Sequence, residues 1–313
     1  LRIFLAGATG AIGRALVPQL VGSGHEVVAL TRSREKVGAL EALGAKVVIA
    51  DALHAEALTA AITRTEPEAV IHQLTALAGV RSFRNFDREF AATNRLRTEV
   101  TDTLLSAALL VGARRFIAQS FCGWPFAREG GAVKSEDDPF DLKPPKRFSN
   151  TLAAIRTLED AVRDVVGIDA RALRYGMLYG PGTGLARDGT IVKAVRKRKF
   201  PLVGDAAGVW SFIHVNDAAR ATVACLSRGA PGIYNIVDDD PAPVSDWLPY
   251  LAHALGARPP RNIPTWLARL SIGEGGVSMM TTVRGGSNAK AKRELGWQPV
   301  FESWRRGFVE GLG

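Results

Sequence analysis

Three glycines at a fixed spacing carry the clearest chemistry in the chain. The segment GATGAIG (7–13) follows the apolar run LRIFLA at once and opens a helix-forming stretch. Gly7 permits a tight turn, Gly10 lets backbone approach a pyrophosphate, and Gly13 lets helix and strand pack closely. With Thr9 in the turn and the amides of Ala11 and Ile12 at the helix start, the loop presents donors where phosphate oxygens bind. These residues imply a dinucleotide; a purely structural turn is the plain alternative.

The second apolar run ends in ALTRSREK, where a site selective for free ribose hydroxyls usually places an acid. Thr31, Arg32 and Ser33 stand there instead, with Arg34 behind them. A cation and hydroxyl donors suit a 2′-phosphate, so NADP(H) is expected in preference to NAD(H), against the reading that the arginines only face solvent. Asp51 and Ala52, just after the third run, are placed for the adenine, unless Asp51 caps the next helix. Leu74, Thr75 and Ala76, closing the fourth run, are expected to pass beneath the cofactor.

These positions need a sheet to hold them. The runs LRIFLA (1–6), EVVAL (26–30), KVVIA (46–50), EAVIHQL (68–74), RRFIAQ (114–119) and ARALRY (170–175) are short and apolar on both faces. Parallel strands buried between helix layers read this way. Helix-period segments fill the gaps, among them ALVPQLVGSG, REKVGALEALG and NRLRTEVTDTLLSAALLVGA. The alternation predicts an α/β fold, a Rossmann-type doubly wound parallel sheet.

Composition sets the outer limits. At 313 residues, 47% hydrophobic and 23% charged, the chain is an ordinary globular sequence, able to bury a large core. Cys122 and Cys225 lie far apart, with neither disulfide-framework nor zinc spacing. No apolar run nears the roughly 20 residues of a membrane span. LRIFLA runs straight into the glycine loop, so it reads as a strand and not a secretion signal. A cytoplasmic, enzyme-like protein without membrane or nucleic-acid partners is expected. The net charge of +9, densest in KAVRKRK (193–199), reads as a solvated helix face or a steering patch for an anionic ligand.

In GATGAIG, the AVIHQLTAL strand end, Asn94 leading a long helix, KSEDDPF (134–140) and LRYGMLYGPGTG (173–184), the sequence resembles the extended short-chain dehydrogenase/reductase superfamily, in its NAD-dependent epimerase/dehydratase branch. FPLVGDAAGVWSFIHVNDAARA (200–221), GIYNIVDDDPAPV (232–244) and NAKAKRELGWQP (288–299) extend the likeness over essentially the whole chain. The resemblance implies a cofactor domain of residues 1–180 plus 211–238 and a smaller substrate-binding lobe of 181–210 plus 239–313. It also implies a homodimer formed through the helices at 94–112 and 149–165, and Asn94 among the cofactor contacts.

The family's redox chemistry uses a Ser or Thr, a Tyr and a Lys, the last two four residues apart on one helix face. Here FSNTLAAIRTLEDAV (148–162) holds neither, and none of the chain's 4 tyrosines has a lysine four residues later. Glu159 aligns with the family's acidic residue, which puts Thr151 at the Tyr position and Ile155 at the Lys position. Thr151 is expected to orient a substrate or cap the helix, because an aliphatic hydroxyl is too weak an acid to replace a phenol. Arg156 is expected to reach the ribose or phosphate, or else to be a surface cation. In AQSFCGW (118–124) Phe121 takes the usual serine position and Ser120 precedes it, lining the nicotinamide pocket or closing a strand-end hydrogen bond. Tyr179 is the leading candidate for a relocated acid. His214, usually structural in the family, and Cys122 are lesser ones.

Where nucleotide-sugar members carry an arginine and an asparagine, this chain has Trp210 and Met177. With Phe121, Cys122 and Trp124 these imply a small apolar or aromatic substrate in place of a nucleotide sugar. The expected activity is an atypical NADP(H)-binding oxidoreductase acting on a carbonyl or hydroxyl compound. A redox-neutral lyase or isomerase on the same fold, and a non-catalytic NADP-binding sensor, are the alternatives.

Overall fold

The apolar runs of the first half become strands of one parallel sheet in the computed structural model, which describes residues 1–77 and 84–313. They are β1 (Arg2–Ala6), β2 (Glu26–Thr31), β3 (Lys46–Ile49), β4 (Ala69–His72), β5 (Arg115–Phe121) and β6 (Asp169–Tyr175), joined by β7 (Gly232–Ile236) from the second half. Their order is β3-β2-β1-β4-β5-β6-β7, and every neighbouring pair is parallel. The order reverses between β1 and β4, so the carboxyl ends of these strands open the crevice in which such sheets bind ligands.

Strand alternation divides the core between two helix layers. Ile3 and Leu5 of β1 face α1 (Ala11–Gly22) and α5 (Val215–Ala224) through Leu16, Leu20, Ala218 and Ala221. Phe4 and Ala6 face α2 (Ala55–Thr65), α3 (residues 91–110) and α4 (Ser149–Asp164) through Leu58, Leu104 and Leu158. Residues one apart on a strand point to opposite faces, so each strand feeds both layers.

Helix α3 begins earlier than its sequence suggested, at Ala91 and not Asn94, and is not uniform. A π-helical turn, Leu96–Val100, separates Ala91–Arg95 from Thr101–Leu110. His72, closing β4, donates from Nε2 to the Leu96 carbonyl (3.1 Å) and accepts the Leu74 amide at Nδ1 (3.3 Å). Burial lowers its pKa to about 4, so the ring is neutral.

The C-terminal part packs its own aromatic core. Tyr179, Trp210, Phe212, Trp247, Trp304 and Phe308 gather between α6 (Val244–Ala254), α7 (Thr265–Thr281) and α8 (Trp304–Glu310). Helix α7 is broken at Gly273, whose φ of 74° and ψ of 176° lie outside the helical region. Among the described residues no helix is long and apolar enough to cross a membrane.

Candidate cofactor and substrate site

The glycine loop is built by exclusion. A Cβ on Gly7 (φ 103°) would lie 2.5 Å from the Gln73 carbonyl carbon, and one on Gly13 would lie 2.2 Å from the Gly7 oxygen. On Gly10 such a Cβ would have the Gly7 oxygen as its one near neighbour, at a tight 3.3 Å. Helix α1 starts at Gly10 without a side-chain cap and with no acid in its first turn. Its leading amides, from Ala11 to Gly13, are those a helix leaves without intrahelical partners. Thr9 sits at the mouth of the same turn. This cradle fits a dinucleotide pyrophosphate, which would be held by Gly7, Thr9, Gly10, Ala11, Ile12 and Gly13.

At the end of β2, Thr31 is buried and its hydroxyl accepts the Ser33 amide at 3.2 Å. Arg32 and Arg34 are exposed and make no ion pair among the described residues. Asp51 is exposed and accepts the Leu53 amide (3.0 Å), while His54 caps α2 by accepting the Ala57 amide (3.3 Å). The helix cap considered for Asp51 therefore belongs to His54, and Ala52 is buried behind it. Leu74, Thr75 and Ala76 lie half-buried beyond β4, with the Ala76 amide donating to Thr93 Oγ1 at 3.0 Å.

The expected proton donors are placed differently. Ser120 is 1% exposed and its hydroxyl donates to Glu159 at 2.7 Å, so it does not line a nicotinamide pocket. Alternation on β5 explains this correction: Ser120 points into α4 and only its neighbour Phe121 faces the other way. Arg174 completes the buried cluster with two bonds to the Glu159 carboxylate, at 2.8 and 2.7 Å, and lies 4.4 Å from the Phe140 ring centre.

Tyr179 is a second correction. It is fully buried, its hydroxyl has no partner among the described residues, and it packs against Gly307, His214, Phe301 and Phe308 in the C-terminal core. Burial, with the Asp238 and Asp217 carboxylates, raises its pKa well above that of an ordinary phenol. It is a packing residue and not an acid poised near neutral pH. His214 is likewise structural: Nδ1 accepts the Asn216 amide (3.2 Å) and Nε2 donates to the Gly311 carbonyl (3.0 Å).

Thr151 is buried in the first turn of α4, held by a residue that no sequence motif marks. Its amide (2.8 Å) and hydroxyl (2.7 Å) both donate to Asp87 Oδ1, and the Asn150 amide donates to Oδ2 (3.0 Å). Asn94 Nδ2 donates to the Thr151 oxygen at 3.1 Å. A carboxylate from the short helix Phe86–Glu89 thus caps α4 across the fold. No local pattern reveals it, because its partners lie more than 60 residues away in sequence. Arg156 donates to the Asp141 carbonyl at 3.0 Å, which ties it to a loop.

The five residues read as substrate-lining meet around one cavity. Phe121, Cys122, Trp124, Met177 and Trp210 border one small cavity of about 20 Å³, room for about one water, together with Gly123, Val209, Ser211, Met279 and Val283. None of these side chains is charged at neutral pH, and burial pushes the Cys122 thiol up to about 12, so it is not a thiolate. Trp210 is locked by its indole N–H to the Met279 carbonyl (2.8 Å), and Trp124 packs edge-on against Phe86 and Phe148.

The parallel sheet and the glycine cradle at its switch point define a dinucleotide-binding type of α/β protein. The chain belongs to the NAD-dependent epimerase/dehydratase family, whose model matches residues 3–237, and NAD(P) is the cofactor typical of that family. Over 100% of its length it is similar, at 44% identity, to the 3-diazoavenalumate denitrifying reductase of a Streptomyces species, of which it covers 99%. It is also 28% identical, over 86% of this chain and 78% of the relative, to the 4-hydroxy-2-methyl-3-oxo-4-farnesyl-3,4-dihydroquinoline-1-oxide ketoreductase of Stigmatella aurantiaca. The fold is shared with the UDP-glucose 4-epimerase of Thermotoga maritima, solved with UDP-glucose (TM-score 0.77, 20% identity, 100% of this chain and 97% of that one). It is shared equally with the human epimerase family protein SDR39U1, solved with NADPH (TM-score 0.77, 20% identity, 100% and 99%).

Proposed function

We propose that this chain is an NADPH-dependent reductase of a small aromatic compound, acting without a proton from a protein phenol. The observation that carries this reading is the uncharged, aromatic cavity at the carboxyl end of β5, with Ser120 bonded to Glu159, Thr151 bonded to Asp87, Tyr179 buried in the C-terminal core and the Cys122 thiol held protonated by burial. A bound nicotinamide would supply hydride. The chain's own part is to hold the cofactor through residues 7–13, to favour its 2′-phosphate through Arg32 with Thr31 and Ser33, and to exclude water with Phe121, Trp124, Met177 and Trp210.

Such a site suits an electrophile whose reduction needs no proton. An arenediazonium cation meets that condition: it exchanges N2 for hydride, the carbon–nitrogen electrons leave with N2, and no proton enters or departs. The name of the Streptomyces relative points to the same substrate class. The relative's name and the uncharged cavity walls both weigh against a nucleotide sugar. The residue 181–210 plus 239–313 lobe is proposed to cover the substrate, and α3 and α4 to form a homodimer face.

The test supplies aryl diazonium salts and aryl ketones in parallel, with NADPH carrying deuterium at the transferable position and enzyme-free controls. Enzyme-dependent NADPH loss with deuterium on the product carbon is expected for the diazonium series. Binding of NADPH without consumption by either series would instead favour a redox-neutral enzyme or a sensor.

A further inference from the structure

The first turn of α1 carries a cation besides the glycines and amides of the cradle. Arg14 follows Gly13 directly and is exposed, and its side chain makes no hydrogen bond or ion pair among the described residues. It nevertheless does not extend into solvent. A Cβ built on Gly182 would lie 2.1 Å from Arg14 Nη2 and 3.7 Å from the Ala11 Cβ. The side chain is therefore laid across from the phosphate loop to the turn after the short strand Met177–Tyr179. That turn is itself firmly closed, with Thr183 Oγ1 donating to the Gly180 carbonyl at 2.8 Å and Gly182 at φ 82°. An exposed arginine costs rotamer entropy to hold in one place and ordinarily takes a neighbouring acid. Here the first turn of the helix has no acid at all.

We infer that Arg14 is a pyrophosphate clamp, gripping the dinucleotide from the side opposite the loop amides and closing the cradle against the 180–183 turn. This rests on the proposed cofactor reading. Its chemistry is a charge-assisted contact to phosphate oxygens, which arginine makes in a fork that lysine lacks. The pyrophosphate is common to NADPH and NADH, whereas Arg32 is placed for the 2′-phosphate alone. The two arginines therefore have separable signatures.

Equilibrium titrations of NADPH and of NADH fluorescence against the full chain separate them. Arg14→Ala is expected to weaken both cofactors by the same factor, about tenfold, with Arg14→Lys recovering only part of it. Arg32→Ala is expected to weaken NADPH and leave NADH unchanged. Thermal melts of the unliganded variants should coincide with wild type, because the Arg14 side chain has no partner among the described residues to lose. Unchanged affinities in Arg14→Ala overturn the clamp, and so does a loss confined to NADPH, which would assign Arg14 to the 2′-phosphate. Wild-type protein that binds neither nucleotide overturns the cofactor reading and the clamp with it.

Discussion

Helices α1 and α4 both begin at the carboxyl edge of the sheet, and their first turns are built in opposite ways. That of α1 has no side-chain cap, no acid, and glycine at positions 10 and 13. That of α4 is filled by the protein itself, with Asp87 taking two amides and the Thr151 hydroxyl, and Asn94 taking the remaining side of Thr151. The same backbone donors thus recruit an external anion in one helix and an internal carboxylate in the other. Helix α4, which in relatives by resemblance presents the phenol and the lysine, is here a buttress.

If α4 is a buttress, its buried ion pair should matter more to folding than to binding. Glu159→Ala leaves the Arg174 guanidinium buried without its carboxylate, and urea denaturation should show a loss of about 3–5 kcal/mol. A loss below about 1 kcal/mol would mean that α4 is not anchored through this pair.

His72 supports the strand end between the two helices, so acid should loosen the site from there. Its folded pKa of about 4 lies below the ordinary 6.5, so the unfolded chain takes up the proton first. The stability is whole above pH 6.5 and is lost as pH falls toward 4, by about 3 kcal/mol. His72→Gln should flatten that part of a pH–melting curve; an unchanged slope would assign the acid sensitivity to other groups.

The smallest effect is expected at Asp87. Asp87→Ala should cost about 1–2 kcal/mol, as loss of a helix cap does, and should leave NADPH affinity where it was. A parallel loss of NADPH binding would show that the filled turn of α4 serves the cofactor after all.

The features legible in the sequence were those whose cause is local. GATGAIG declares itself because turn, close approach and packing fall within seven residues, and the apolar runs declare strands for the same reason. Trp210 and Met177 were informative as replacements at recognisable places, and the cavity gathers them with Phe121, Cys122 and Trp124. Ser120 and Tyr179 were misread because a strand end states the residue type and not the face. One residue along β5 separates a side chain bound to Glu159 from one at the cavity. Asp87 stayed hidden since it acts on a helix far along the chain, and no period or motif records such a contact.

The π-helical turn of α3 marks a place where the length of the chain is itself a structural variable. Leu96–Val100 holds one residue more than an α-helical path would need. A single-codon deletion there would let the turn close as ordinary helix, rotating the residues on its N-terminal side by about 100° against those on its C-terminal side. Thr93 would turn away from Ala76 and Asn94 from Thr151, while Leu104 and Leu105 kept their seats on the sheet. One extra residue thus sets how the start of α3, with Thr93 and Asn94, is rotated against the half that seats on the sheet.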